Sequence, residues 1–244
     1  MPRLFPDQLR QRARSRGADP LLTYYDLGTG ERTELSATSF LNWVDKTSNL
    51  LVDELGLTPG AVVELRLAEG APGHWVTLVL EAAAWQVGAV IRATGTEADD
   101  AADLLVLGAD WQRHDRSGAA AVLACSLHPL GLGFPTALPA DVLDFSPEVR
   151  GQSDFHSPEP RSAAEPAWLD DERALSQGDL VAVGADRSAA ARRLVRVDRP
   201  WPTVRDGLVV PVLTGGSAVL VVGEDQERLA RIVETERANA DPST

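Results

Sequence analysis

Apolar positions recur along this chain first at helical and then at extended spacing, and the switches mark out alternating helices and strands. Phe5, Leu9 and Ala13 lie four apart, so residues 4–16 predict a short amphipathic helix. Leu21–Asp26 and Arg32–Leu35 flank Gly28-Thr29-Gly30 and predict a hairpin, because glycine accepts positive φ. From Thr38 to Leu55, the residues Phe40, Trp43, Val44, Thr47, Leu50, Leu51 and Leu55 line one helical face, and Gly56 ends the helix. The Pro59-Gly60 turn then launches an alternating strand at Val62–Leu67.

Residues 74–87 predict a second long helix with Trp75, Leu78, Val79, Ala82, Trp85 and Gln86 on its inner side. Gly88 stops it and Ala89-Val90-Ile91 begins another strand, a β–α–β unit that implies parallel pairing. Short strands follow at Asp103–Leu107 and Ala120–Ala124. The fold class is α/β: an open layered sheet with flanking helices on both faces. Pro158, Pro160 and Pro166 exclude regular structure from residues 150–166, which predict a linker or long surface loop. It divides a first α/β subdomain, 1–149, from a second, 167–244, packed on it. Within the second, Leu175–Val183 predicts a helix, Arg193–Val197 a strand, Thr203–Leu213 a helix, Ser217–Val222 a strand and Asp225–Ala238 a closing helix.

Composition narrows the partners. The 244 residues carry a formal net charge of −13, which disfavours a phosphate-backbone partner and so nucleic acid. Arg10, Arg12, Arg14 and Arg16 are the local exception, expected as the solvated face of the first helix. A single cysteine, Cys125, excludes an internal disulfide. The start MPRLFPDQLRQRARSR lacks the apolar core of a signal peptide, and no apolar run is long enough to span a membrane, so a cytoplasmic location is expected.

The order of elements over residues 20–91, with Gly56-Leu57-Thr58-Pro59-Gly60 and Trp85-Gln86-Val87-Gly88-Ala89-Val90, resembles the opening of the adenylate-forming superfamily: acyl-CoA synthetases, peptide adenylation domains and luciferases. Residues 201–223, WPTVRDGLVVPVLTGGSAVLVVG, resemble the later segment where those chains place a glycine pair before a valine-rich strand. More narrowly, the whole chain looks like a small actinobacterial family distantly related to AMP-binding enzymes, and its arginine-rich, lysine-poor composition suits a GC-rich genome. In the enzymes, the resemblance implies, a Ser/Thr/Gly-rich loop ending in Pro-Lys-Gly wraps the ATP phosphates. Here the same place holds Ala167-Trp168-Leu169-Asp170-Asp171-Glu172-Arg173-Ala174-Leu175, whose consecutive acids would repel a triphosphate. The central region with the adenine and ribose contacts and the lid domain with its lysine are also expected to be missing. Lys46, the only lysine among 23 basic residues, falls on the first long helix and is expected to face solvent.

Other chemistry is sparse. His74, His114, His128 and His156 are scattered without ligand spacing, so neither a metal nor another cofactor is expected. Asp154 and His156 could form a base–orienter pair, although a solvated polar loop is the expected reading. Cys125 is expected as a buried strand-end thiol; a thiolate would need a partner such as His128. Gly215, Gly216 and Ser217 could form a small anion nest or a plain turn. Trp111, Trp168 and Trp201 fall near element ends and could rim a ligand cleft or simply pack. Two function classes remain: a noncatalytic binding or scaffold protein whose partner is a nucleotide, an acyl group, another protein or a second copy of itself, and a divergent enzyme with its own site. A flat apolar patch would favour the first, and a cleft of convergent polar groups the second.

Overall fold

The computed structural model describes residues 3–93, 101–184 and 191–240. In chain order these form α1 (Phe5–Arg16), β1 (Pro20–Asp26), β2 (Arg32–Ser36), α2 (Ala37–Asn49), β3 (Val62–Leu65), α3 (Leu67–Gly70), α4 (Trp75–Val87), β4 (Val90–Arg92), β5 (Ala102–Leu107), β6 (Ala119–Ala124), β7 (Leu143–Asp144), α5 (Phe145–Arg150), β8 (Pro166–Asp170), β9 (Arg173–Ser176), α6 (Gln177–Ala182), β10 (Arg192–Arg196), α7 (Pro200–Val204), α8 (Val210–Thr214), β11 (Ser217–Val222), α9 (Gln226–Glu236) and β12 (Asn239–Ala240). Two wider π turns prolong helices: Leu50–Glu54 extends α2, and Arg205–Val209 joins α7 to α8.

The strands divide between two sheets, in the orders β12-β10-β11-β1-β2 and β7-β6-β5-β3-β4-β8-β9. Each is parallel except for one antiparallel edge strand, β2 on β1 and β9 on β8. Both hairpins feed a helix capped by serine, Ser36 before α2 and Ser176 before α6. The α/β layering with flanking helices is as the pattern predicted, while the single open sheet becomes two. Residues 151–165 contain no regular element, and the strands after them, β8 and β9, join the second sheet beside β4. The division between the sheets therefore does not fall at the Pro-rich segment.

Strand alternation sends residues to two sides of each sheet. On β11, Ala218 and Leu220 enter the central core, while Val219 and Val221 pack under Ile232 of α9. On β5, Leu104 and Val106 face that same core, and Leu105 and Leu107 pack with Trp111 on the outer side. Between the sheets lies α4, with all its residues from Trp75 to Val87 buried. It packs against α1, α2 and β4. Gly88 ends α4 at φ 80°, where a Cβ would come within 2.9 Å of the Arg161 side chain.

Several charged residues turn inward. Arg10 donates to Asp45 at 2.7 Å and to Gln86 at 3.2 Å, and Gln86 donates to Asp45 at 2.8 Å, tying α1, α2 and α4 together. Arg12 is buried as well, so only Arg14 and Arg16 keep the exposed face expected of the whole run. Lys46 is likewise not a free surface lysine: it bonds the Gln152 carbonyl at 2.5 Å and pairs with Asp154 at 2.9 Å. Asn49 donates to the carbonyls of Ser153 and Phe155, at 3.0 and 3.1 Å, so α2 pins the start of the Pro-rich segment. The stretch predicted as helix from Leu175 begins as strand, because residues 173–176 complete the hairpin and Ser176 caps the helix that follows. No described helix is long and apolar enough to cross a membrane.

Glu81 is the exception in α4. It is fully buried, neither carboxyl oxygen has a hydrogen-bond partner, and burial raises its pKa well above the carboxylate range. A raised folded pKa favours folding below the unfolded value of about 4.3 and costs stability as pH climbs beyond it. Glu81→Met should therefore raise Tm at pH 7 by about 3–8 °C, from roughly 1–3 kcal/mol of relieved desolvation. The gain should shrink toward pH 4, as read by differential scanning calorimetry.

Candidate functional site

The segment where the resemblance places a phosphate loop is a tight hairpin. Asp170 ends β8 and pairs in register with Arg173 at the start of β9, so Asp171 and Glu172 alone make the turn. The Asp170 carboxylate accepts from Trp168 Nε1 at 2.9 Å, from the Glu172 N–H at 2.9 Å and from Arg173 Nη1 at 2.8 Å. Burial opposes its ionisation, but these three donors outweigh burial and hold its pKa below the usual range. Arg173 also donates to Glu172 at 2.5 Å.

A cavity of about 200 Å³ opens beside this turn, lined by Ala93, residues 170–173 and residues 199–202. It sits at the C-terminal ends of β4, β8 and β10, the end of a parallel sheet where ligands of α/β proteins usually bind. Its two guanidiniums are already engaged by the chain's own carboxylates. Arg173 serves Asp170 and Glu172, and Arg199 lies 3.7 Å from Glu172 and 3.7 Å from Asp198. Trp201 lines the cavity and packs on Trp168, ring centroids 5.2 Å apart. Trp168 is fully buried, and Trp111 lies elsewhere, under the outer face of the second sheet with Arg116 over its ring at 5.3 Å.

Two larger cavities flank the fold. One, of about 450 Å³, lies beyond β3 and β5 and includes Arg66, Asp110 and His114. Arg66 there is held by Glu64 at 2.5 Å and Glu69 at 3.0 Å. The other, of about 510 Å³, lies at the opposite, N-terminal ends of β1, β10 and β11, and contains Gly215, Gly216 and Ser217. Gly215 ends α8 at φ 75° and its carbonyl accepts from Arg16 at 3.1 Å. The Ser217 N–H donates to the Ala191 carbonyl at 3.0 Å, and a Cβ on Gly216 would lie 2.5 Å from that oxygen. The glycine pair thus stops a helix and permits a close backbone crossing.

The scattered histidines stay apart. Asp154 pairs with Lys46, whereas His156 Nδ1 meets Asn49 Oδ1 at 2.7 Å, so the two loop residues serve different partners. His128 Nδ1 accepts the Leu130 N–H at 3.1 Å. His74 caps α4 by accepting the Val76 N–H at 3.2 Å through Nδ1, and its Nε2 lies 3.7 Å from Glu31. Its ring meets Tyr24 edge-on at 5.1 Å. Sequence spacing missed this buried trio, and the only available signal was a polar residue just ahead of an apolar helix. Among the described residues no group of three or more His, Cys, Asp or Glu side chains could hold a metal ion. Cys125 is buried, and burial, helped by the Asp144 charge, raises its thiol pKa.

Two sheets enclosing a buried helix, with a hairpin-terminated second sheet, define the fold of the N-terminal part of adenylate-forming enzymes. Acyl-CoA synthetase from Brucella canis superposes with a TM-score of 0.77 at 17% identity, over 99% of this chain and 48% of that one. The N-terminal domain of FACL13 from Mycobacterium tuberculosis gives a TM-score of 0.68 at 14% identity, over 97% of this chain and 62% of that one. The chain thus spans about half the length of the Brucella canis enzyme. No family model matches it. A TIGR03089 family protein of Mycobacterium tuberculosis is 36% identical over 229 residues, covering 89% of each chain, and the protein belongs to that family.

Asp170 carries a pH signature. Its depressed pKa supplies stability above the unfolded value of about 3.9 that is lost as pH falls through the lower folded value. Asp170→Asn should cost about 1–2 kcal/mol at pH 7 and progressively less as pH falls below the unfolded value, measured by urea unfolding. Cys125 should resist a thiol-reactive disulfide reagent in native buffer and react at once in denaturant.

Proposed function

We propose that this protein is a noncatalytic binding or scaffold protein built on the front portion of the adenylate-forming fold. The observation that carries the reading is the two-residue turn, Asp171-Glu172, between β8 and β9. Cradling a polyphosphate takes several converging backbone N–H groups and a cation. At this turn the Glu172 N–H is given to the Asp170 carboxylate, and Arg173 is shared between Asp170 and Glu172. Two further carboxylates, Asp171 and Glu172, line the same cavity. Mg-ATP brought there would meet like charge and no unengaged donor set.

On this reading the protein acts in the cytosol by holding a nucleotide, an acyl group or another protein, which includes a second copy of itself. The small cavity at the hairpin offers an apolar indole from Trp201 next to a charged rim, which suits selection of a ligand more than the handling of a triphosphate.

Pyrophosphate exchange tests the reading directly. The purified full chain, given Mg-ATP and a panel of short, medium and aromatic carboxylic acids, should exchange no labelled pyrophosphate above the buffer rate. Acid-dependent exchange above the buffer rate would establish an activating enzyme and overturn the proposal.

A further inference from the structure

The largest of the three cavities holds a buried guanidinium that, among the described residues, is in no ion pair. Arg12, on the last turns of α1, is 5% exposed. Its Nη1 donates to the Arg16 carbonyl at 2.7 Å, closing its own helix end. Its Nε has no hydrogen-bond partner, and among the described residues no carboxylate forms an ion pair with it. Burial, then the neighbouring Arg16, lowers its pKa, and the charge of Asp19 offsets this only in part.

The carboxylates of the same cavity are all taken. Asp19 pairs with Arg16 at 2.6 Å, Glu34 with Arg32 at 2.8 Å, and Glu236 with Arg192 and, at 3.0 Å, with Arg32. Arg12 therefore lines a space of about 510 Å³ with donors to offer and no anion to receive them. Removing a guanidinium from water without a counter-charge is strongly destabilising, whereas one oxyanion at this place would satisfy it with short, charge-assisted bonds. Arg16 and Arg192 line the same space, but each is already paired, with Asp19 and with Glu236, so Arg12 is the arginine left to an incoming oxyanion.

We propose that this cavity is a binding site for a small molecule bearing a single oxyanion, a phosphate or a carboxylate, with Arg12 as its principal ligand. The site lies at the N-terminal ends of β1, β10 and β11, across the first sheet from the hairpin cavity, and does not depend on the scaffold reading. Gly215 and Gly216 serve it by letting the backbone pass close to Ala191 without side chains that would narrow the opening.

The test titrates the full chain, carrying ¹⁵N-arginine, with sodium phosphate, sodium acetate and sodium chloride at constant ionic strength. The Arg12 Nε–H resonance should move saturably with phosphate or acetate and stay still with chloride, and the stronger of the two oxyanions identifies the source. Asp19→Asn, a surface change, removes a competing acid and should tighten binding about threefold. Arg12→Met should abolish it. An Nε–H signal indifferent to both oxyanions, undiminished binding by folded Arg12→Met, or unaltered affinity in Asp19→Asn would each overturn the site. Should Arg12→Met fail to fold, the native and Asp19→Asn titrations decide alone.

Discussion

A helix with no exposed side chain has to be covered on every side, and α4 imposes that condition on the whole molecule. One sheet can cover only one face of a helix. The chain therefore builds two sheets and fills the remaining space with α1 and α2, locked to α4 through Arg10, Asp45 and Gln86. Because this clamp lies inside the packing, loss of Arg10 or of Asp45 would leave the other's charge without its counter-ion. Trp85 extends the same hold to the second sheet through its Nε1 bond to the Ala167 carbonyl at 3.0 Å, so the position of β8 and its hairpin follows from the position of α4. Glu81 is tolerated within this packing with its acidity suppressed by burial.

Local pattern was enough to find most elements, because periodicity and turn chemistry are local properties. The strand at Ser217–Val222 and the glycine stop of α4 were readable in this way. Burial on all sides was not. The inner stripe Trp75, Leu78, Val79, Ala82, Trp85 and Gln86 is correct, yet Thr77, Glu81 and Ala84 are just as buried, and a stripe cannot report a second covering layer. The division into two sheets escaped for a related reason: β1 pairs with β11 across nearly the whole chain, and no local signal encodes that choice. Arginine's long apolar stem allows either orientation, so sequence alone reads Arg10 and Arg12 as solvated, whereas the distant Asp45 and Gln86 draw Arg10 inward.

Of the candidate site residues, Trp168 and Trp201 proved to be neighbours although they are far apart in sequence, and Trp111 belongs to a separate outer cluster. Gly215, Gly216 and Ser217 form a turn that lines a cavity, and the guanidinium outside any ion pair there is that of Arg12, from the other end of the chain. Sequence could supply the turn and not the guanidinium beside it, because their meeting depends on α1 packing against α8.

The two ends of the molecule use the same residue type to opposite effect. At the hairpin, Arg173 is folded back onto Asp170 and Glu172 by a turn too short to do otherwise, so its donors are saturated before any ligand arrives. At the glycine turn, Asp19 sits closer to Arg16 and claims it, which leaves Arg12 buried behind with only a backbone carbonyl. In a chain with a net charge of −13, an arginine outside any ion pair is not explained by excess of positive charge; the acids nearest to it, Asp19, Glu34 and Glu236, are paired with Arg16, Arg32 and Arg192 instead. Folding thus leaves electrostatic free energy unrealised at Arg12, and an anion that enters the cavity recovers it as binding affinity and, by linkage, as stability of the native state.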